Sequence, residues 1–537
     1  MLLRVWAQEG AASALLEGSV ANKITGGPIK RAHVMALKVN QAAGTDLPPL
    51  VADSDQSGRF SIRVEPGVYR LWADRSGFAR QPYGARTPSG PGALVTVAAG
   101  QELKDLGFRM IPYGAIAGRV LDEDGEPVIG AAIQILRFHY ASGRRQLIPG
   151  AGAGSNDRGE YRVYGLPAGR YFMLVTQRNG PISKQRDPAG IIPEIEEPYA
   201  PVYYPGVFDF AGAAPLLLPE GGELRDVDFR VRKVRAVTLR GRLMSPTADL
   251  ISGDVQVILA PREGAGAGFV DRIAGAVDRN SGRFEFRGVA PGSYLLAASQ
   301  LQRGRAFGGR MALEVTGAEQ EDLAVTVAPG IDLQGSIELE DAPADALGKM
   351  SARLVPSEGL TLGPQPAAAV GPGGAFQLSG VTPGLWNLVI EPLPEGAWIK
   401  ALRLGERDVL GGDLNIGSAA PGPLRVVLGA HGGEISGTVT AEGQPRRAAV
   451  ALVPSGAEAR AIPGLYRSTS SDEKGAFAIK GIRPGAYKLF AFEEVEHFAW
   501  LDPDFLKSIE SLSPEISVAE GERISRQLTP ISPISNP

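Results

Sequence analysis

Gly282-Arg283-Phe284-Glu285-Phe286-Arg287-Gly288-Val289-Ala290-Pro291-Gly292-Ser293-Tyr294 reads as an aromatic strand, a Pro-Gly turn and a second aromatic entering the next strand. The chain writes the same phrase four more times. The other copies run from Gly58-Arg59-Phe60 to Pro66-Gly67-Val68-Tyr69, from Gly159-Glu160-Tyr161 to Ala168-Gly169-Arg170-Tyr171, from Gly374-Ala375-Phe376 to Pro383-Gly384-Leu385-Trp386, and from Gly475-Ala476-Phe477 to Pro484-Gly485-Ala486-Tyr487. A phrase repeated at domain-sized intervals marks an array of one module. No nucleophile, metal ligand or phosphate loop recurs with it.

The turn glycines Gly67, Gly169, Gly292, Gly384 and Gly485 lie 102, 123, 92 and 101 residues apart. A strand-like stretch with its own glycine precedes each one: Gly18, Gly118, Gly241, Gly335 and Gly437. From this landmark glycine to the turn glycine the distances are 49, 51, 51, 49 and 48 residues. The first half of every module is therefore nearly constant in length. The second half varies, from 72 residues between Gly169 and Gly241 to 43 between Gly292 and Gly335, as a scaffold with differing surface loops does.

Composition fits a folded array. The 537 residues suit five sandwiches of ~100 residues better than the three or four domains that length alone suggests. The 70 glycines and 42 prolines supply the turns that many short strands need. A formal charge of −4, with basic and acidic residues interspersed, gives no electrostatic case for nucleic acid or an anionic membrane. No run of about 18 apolar residues spans a bilayer. The absence of cysteine excludes disulfides, thiolate zinc sites and cysteine nucleophiles. Residues 1–13, beginning Met1-Leu2-Leu3-Arg4-Val5-Trp6-Ala7, read as a leader or the remnant of a signal segment, too short and polar for a complete signal peptide.

Within a module the pattern is all-β. Ala132-Ile133-Gln134-Ile135 alternates as a half-buried strand does, and Tyr171-Phe172-Met173-Leu174-Val175 is apolar throughout. About seven short strands per 100 residues is sandwich density. In the turn, proline presets φ and glycine supplies the positive φ of a type II turn. The aromatic two residues later points inward, its hydroxyl within reach of a backbone group just upstream, as in the tyrosine corner of immunoglobulin-like sandwiches. Tyr69, Tyr171, Tyr294 and Tyr487 are expected to be buried for this structural reason. Trp386 is expected to depart from the geometry, because an indole replaces the phenol.

The second module carries Ile116-Ala117-Gly118-Arg119-Val120, then Gly125-Glu126-Pro127-Val128-Ile129-Gly130-Ala131, then Asp157-Arg158-Gly159-Glu160-Tyr161 and Gly169-Arg170-Tyr171. The fifth carries Gly437-Thr438-Val439, Gly443-Gln444-Pro445, Asp472-Glu473-Lys474-Gly475-Ala476-Phe477 and Tyr487. In these residues the chain resembles the carboxypeptidase regulatory-like domain. The resemblance implies a prealbumin-like seven-stranded sandwich, grouped with carbohydrate-binding-like folds and similar to the B-type repeats of collagen-binding adhesins. The third and fourth modules lack a clear Gly-x-Pro turn after the first strand. The Lys–Asn cross-link of the adhesin repeats is not carried over, since the first strands of modules two to five hold no lysine.

The fold expected is all-β, a tandem array of five immunoglobulin-like or prealbumin-like seven-stranded β-sandwiches. After the leader the sandwiches cover 14–111, 112–233 with a long insertion at 177–218, 234–328, 329–429, and 430–530 with an aromatic insertion at 493–511. Residues 531–537 form a tail.

Catalytic and metal patterns are sparse. His431-Gly432-Gly433-Glu434 with His497 has the His-x-x-Glu outline of a zinc peptidase, but it opens a strand and no peptidase domain surrounds it. Asp53-Ser54-Asp55-Gln56-Ser57-Gly58 begins like a calcium loop, yet Val64 stands where a bidentate glutamate belongs, so a hairpin turn is the better account. Gly150-Ala151-Gly152-Ala153-Gly154 and Gly264-Ala265-Gly266-Ala267-Gly268 read as flexible loops without the lysine and helix of a phosphate site. No metal or cofactor is expected.

Two segments break the rhythm and are the candidate binding surfaces, with packing of their aromatics onto the host module the favoured alternative. The first insertion offers Tyr199, Tyr203, Tyr204 and Phe208; the second offers Trp500 and Phe505, with a short helix starting after Asp502 or Pro503. The expected function is a non-catalytic, extracytoplasmic binding protein, with carbohydrate the ligand class the resemblance implies and a glycan or cell-envelope protein as partner. The alternative is a structural stalk or accessory module of an outer-membrane transporter, adhesin or secreted enzyme.

Overall fold

The computed structural model describes residues 13–531 except 40–47, 86, 87, 89, 91, 142, 143, 178–198, 209, 235, 246–254, 263–271, 342–346, 348, 358–361, 420, 494, 496 and 497. The chain is all-β, a tandem array of β-sandwiches, and each copy of the phrase sits in its own one. In the first module the opening strand Ala14–Asn22 lies between Arg59–Val64, antiparallel, and the closing strand Glu102–Met110, parallel. The facing sheet runs Leu50–Asp53, His33–Val39, Gly67–Asp74 and Leu94–Val97. The fifth module repeats the plan. Gly433–Ala441 sits between Ala476–Ile482 and Arg523–Leu528, facing Arg467–Ser470, Ala449–Pro454, Gly485–Phe492 and Glu515–Val518. The turn phrase is thus not a hairpin. It carries the chain from one sheet across to the other.

The two landmarks of each module meet. Gly18 is the cross-strand partner of Phe60, Gly118 of Tyr161, Gly241 of Phe284, Gly335 of Phe376 and Gly437 of Phe477. Glycine is required there because neighbouring atoms already fill the space of a side chain. A Cβ on Gly437 would stand 1.7 Å from the Arg526 carbonyl oxygen, and one on Gly335 would stand 2.1 Å from the Phe376 ring. The ring lies over the bare glycine, as aromatic residues do beside glycine in sheets. In the second module the Tyr161 hydroxyl also donates to the Val227 carbonyl of the closing segment.

The phrase hides a bulge. Eight residues separate Tyr161, Phe284, Phe376 and Phe477 from their turn glycines, but seven separate Phe60 from Gly67. The extra residue is the β-bulge glycine Gly165, Gly288, Gly380 or Gly481, each at φ between 67° and 77°, where the register with the opening strand shifts. The first module pairs Ala14 through Ser19 with Val64 through Arg59 with no shift.

At the corner the ring does what the turn demands. Tyr69 donates its hydroxyl to the Glu65 carbonyl at 2.9 Å, Tyr171 to Pro167 at 2.7 Å, Tyr294 to Ala290 at 2.9 Å and Tyr487 to Arg483 at 2.8 Å. Two expectations need correction here. Trp386 does not depart from the geometry: its Nε1–H donates to Thr382, again four residues back, at 3.0 Å. The turn is not type II either, because Gly67, Gly169, Gly292 and Gly384 have φ of 156° to 158° rather than about +80°. Each aromatic reaches back over the glycine two positions before it. In Gly169, Gly292 and Gly485 an added Cβ would touch that ring at 3.4 to 3.9 Å.

Each sandwich encloses one apolar core. The aromatics Phe60, Tyr69 and Phe108 fill the first, Tyr161, Tyr171 and Phe229 the second, Phe284, Phe286 and Tyr294 the third, Phe376 and Trp386 the fourth, and Phe477 and Tyr487 the fifth. Gly150–Gly154 corrects another expectation: it is not a loop but the end of the strand Arg144–Gly154, paired with Ala131–Ala141. The second glycine-rich stretch, Gly264–Gly268, lies outside the described residues.

Candidate functional site

The aromatic candidates of the first insertion divide between two cores. Tyr203 is 7% exposed and packs with Leu136, Leu147, Phe172 and Leu174 on the outer face of the second module's sheet. Phe210 closes over it edge-on at 5.6 Å. Tyr204 turns the other way and meets Phe229 of the main core at 6.0 Å. Tyr199 is half-buried against that core, and burial, aided by nearby Asp122, pushes its phenol pKa up. Only Phe208, 55% exposed, faces solvent. Residues 178–198 of this insertion lie outside the described set.

The second insertion is a roof. Asp502 caps the helix Pro503–Ile509, its Oδ1 accepting from the amides of Asp504 at 2.8 Å and Phe505 at 3.4 Å, with proline at the first helical position. The cap aims Phe505, Leu506 and Ile509 at the sheet, where they join Ala451, Val453, Phe490, Phe492 and Trp500 in a buried cluster. Trp500 stacks on Phe492 at 6.1 Å with the rings 9° apart. Trp500 and Phe505 are each 3% exposed, so neither offers a ring to a ligand. As with Tyr203, packing onto the host module is the outcome. The physical reason is that the strands beneath, Gly169–Gln177 and Gly485–Phe492, are apolar on both faces and each needs a second cover.

The metal outlines resolve into turns and pairs. The amide of Gly521 donates to the His431 carbonyl, and Glu434 faces Arg523 at 3.7 Å; His497 lies outside the described residues. Asp55 folds onto its own turn, its Oδ1 accepting from the Ser57 amide and hydroxyl and the Arg59 amide, each at 2.8 Å. These bonds, the Ser57 hydroxyl first, hold its carboxyl below the usual range. Asp53 pairs instead with His33. Among the described residues no three histidines or carboxylates gather as a metal site.

A further recurring element escaped the sequence reading. Ser54, Ser155 and Ser471 are buried, and each hydroxyl accepts one backbone N–H and donates to one carbonyl. The pairs are Ala32 and Ile29, Ala131 and Val128, and Ala448 and Arg446. Each serine staples the segment after the Gly-x-Pro-type turn and precedes an Asx turn made by Asp55, Asn156 or Asp472. The fourth module has Val370 and Gly371 in these places, and it also lacks the proline. The dipeptides Ser54-Asp55, Ser155-Asn156 and Ser471-Asp472 were the available signal.

Junctions recur too. The residue five before the landmark glycine donates its amide to the preceding module: Tyr113 to Gly77 at 2.9 Å, Gly330 to Ala306 at 2.8 Å and Gly432 to Gly396 at 2.9 Å. Each acceptor lies in or just after the loop that follows the post-turn strand. At the last two junctions the linker glycine crosses the bulge glycine of its own module, Gly330 on Gly380 and Gly432 on Gly481. The turn phrase also faces the previous module there. Arg483 stacks over Trp398 at 5.8 Å, Lys480 pairs with Glu395 at 2.5 Å, and Gly384 abuts Arg310. Between the first two modules Lys23 pairs with Glu220 at 2.8 Å.

No family model matches the chain, and no curated protein matches it. Among solved structures, the minor pilin of Streptococcus agalactiae is similar at 12% identity, covering 41% of this chain and 97% of that one, with a TM-score of 0.23. The shaft pilin SpaA of Lactobacillus rhamnosus GG aligns at 10% identity over 42% of this chain and 97% of its own, TM-score 0.21. Two B repeat units of the collagen-binding protein of Staphylococcus aureus align at 11% identity over 72% and 94%, TM-score 0.15. Superpositions this loose leave the fold to rest on the strand pairing itself. No helix among the described residues is long and apolar enough to cross a membrane.

Proposed function

We propose that this chain is a non-catalytic, extracytoplasmic structural array that holds its surfaces at fixed spacing at a cell envelope, with an envelope protein as partner. The observation that carries it is how the repeated phrase is used. In every copy its aromatics lie in a core, and in the last two copies its glycines and the residues beside them abut the module before. Residues repeated for chemistry or binding would face a ligand; these face the interior and the junctions. A shared backbone hydrogen bond at the same position of three junctions constrains the angle between modules, where a flexible string of binding domains has open linkers. The extracytoplasmic location is supported by the resemblance to carboxypeptidase regulatory-like and adhesin domains.

Carbohydrate binding is the second reading. It is favoured by Phe208, an aromatic left 55% exposed on the loop that carries Tyr203 and Tyr204. Two measurements separate the readings. Protease treatment of intact cells carrying the native protein is expected to cleave it, and full protection together with recovery in the cytosolic fraction overturns the placement. A glycan array probed with the purified chain is expected to show no saturable binding. Saturable binding lost on Phe208→Ala would replace the structural array with the glycan reading.

A further inference from the structure

The limb that returns from the long insertion does more than rejoin a sheet. Val202 and Tyr203 pair with Val175 and Leu174 in the second sheet of module two. Just before them the same limb reaches elsewhere. The Ala200 amide donates to the Arg232 carbonyl at 3.0 Å, and Tyr199 lies across from Lys233 in an antiparallel bridge. Arg232 and Lys233 carry the chain out of module two, just past Phe229–Arg230, which runs beside the opening strand Gly114–Leu121 of the first sheet. The limb therefore crosses from one sheet of module two to the exit from the other.

The crossing is anchored along its length. Val202 is fully buried and Ala200 nearly so. The Tyr199 phenol donates to the Asp122 carboxylate, whose Oδ1 accepts from the amides of Asp124 at 3.0 Å and Glu126 at 2.9 Å. From the same turn, Glu123 accepts the Lys233 amide at 3.3 Å. Lys233 is thus held on two sides, by the turn after the opening strand and by the insertion.

We propose that residues 199–203 are an orienting strap, which grips the outgoing linker through Tyr199 and Ala200 and fixes the direction in which module three leaves module two. Chain length gives the grip its effect. The opening strand of module three begins at Val237, four residue steps beyond Lys233. It lies six steps beyond Val231, whose amide donates to Leu121 at 2.8 Å. A chain held only as far as Val231 reaches about 20 Å to Val237, and one held at Lys233 about 13 Å. The bridge also sets a direction, because a residue paired across an antiparallel bridge is fixed in orientation as well as in place. At the fourth and fifth modules the turn phrase faces the module before; at the third, the aim is set by the insertion of the module before. The strap holds this joint whether the array spaces partners or binds glycan.

The chain has no cysteine, so two introduced labels report the joint alone. Spin labels on Tyr164→Cys and Leu301→Cys, at exposed positions of modules two and three, are expected to give one narrow distance distribution by pulsed electron resonance on the full chain. Ala200→Pro removes the amide donated to Arg232 and keeps the backbone extended, as the residue before Pro201 already is. It is expected to widen the distribution, and Tyr199→Ala added to it to widen it further. Hydrogen exchange in Gly169–Gln177 is expected to match the parent. Should exchange there accelerate, Tyr199→Cys with Lys233→Cys in the unlabelled chain decides the matter. Oxidised to a disulfide, that chain is expected to scatter X-rays as the parent does, and reduced, as a more varied ensemble. A parent distribution that is already broad overturns the strap. So does a width unchanged in both variants, a disulfide that fails to form in the folded chain, or a scattering profile indifferent to its reduction.

Discussion

Trp386 and Thr382 are joined as Tyr487 and Arg483 are: a ring-edge donor reaches the carbonyl four residues upstream, at 3.0 Å in one and 2.8 Å in the other. What the corner needs is therefore a hydrogen on the far edge of a large ring, not a phenol. Removing it leaves a partly buried carbonyl without its donor. Tyr487→Phe should destabilise its module by about 1 kcal/mol, and Trp386→Phe by more, because it also empties part of a core. Hydrogen exchange followed by mass spectrometry should show faster exchange in Gly485–Phe492 or Gly384–Glu391, and unchanged exchange in the other modules' equivalent strands. Equal exchange in variant and parent would remove the corner bond from the account of stability.

The landmark glycines are set by space. A Cβ at position 437 would meet the Arg526 carbonyl at 1.7 Å, and a backbone atom cannot step aside as a flexible side chain can. Gly437→Ala should cost about 3 kcal/mol or more and part the closing strand Arg523–Leu528 from the sheet. Gly443 is the control. It has φ 75° with open space around it, and Gly443→Asn should be tolerated because asparagine enters the left-handed region readily. Calorimetry of the full chain compares the two.

The serine staple predicts a third effect. Ser471→Ala strands the Ala448 amide and the Arg446 carbonyl in a buried setting, a loss of about 1–3 kcal/mol. Ser471→Thr should recover part of it by restoring the hydroxyl. The fourth module, with Val370 at this position, has no such bond to lose, so Val370→Ala should behave as an ordinary core truncation there.

Acid should act on the Asx turns. The carboxyls of Asp55 and Asp278 are held low by the hydroxyls of Ser57 and Ser281 and by nearby amides. A depressed folded pKa means a contribution that is in place above the ordinary carboxylate range and is lost as pH falls through the folded value. Asp55→Asn mimics Asn156, which makes the same amide contacts in the second module. The variant should keep the turn and show less acid sensitivity of the first module below about pH 4. A steeper loss on acidification would contradict the assignment.

How much of this was legible depends on the range of the interaction. The corner at Tyr487 is local, four residues long, and the Pro-Gly-x-aromatic spacing displayed it. The donor at Trp386 was not legible from residue type, because what the corner requires is the reach of a ring-edge hydrogen. The bulge at Gly288 was present as an eight-residue count where Phe60 to Gly67 has seven, visible only once strand pairing gave the extra residue a purpose. The pairing of Gly335 with Phe376 joins positions 41 residues apart, a contact that no local spacing displays. The fates of Tyr203 and Trp500 were the least legible. Their partners Phe172 and Phe492 lie on outer strand faces, and the one signal was a strand apolar at every position, Tyr171 to Val175, which says that both faces are covered.

Burial separates two aromatic candidates by a wide margin. Trp500 is 3% exposed and stacked on Phe492, while Phe208 is 55% exposed. Trp500→Ala removes a buried ring from the roof over Phe490 and Phe492 and should cost about 3–5 kcal/mol, with faster exchange in Ala449–Pro454 and Gly485–Phe492. Phe208→Ala should stay within about 0.5 kcal/mol of the parent, as surface substitutions do. If Trp500 were a ligand platform that merely rests on the module, its loss would leave exchange unchanged and weaken binding instead. Accelerated exchange confined to the fifth module identifies the roof as a structural cover whose removal exposes an apolar sheet face.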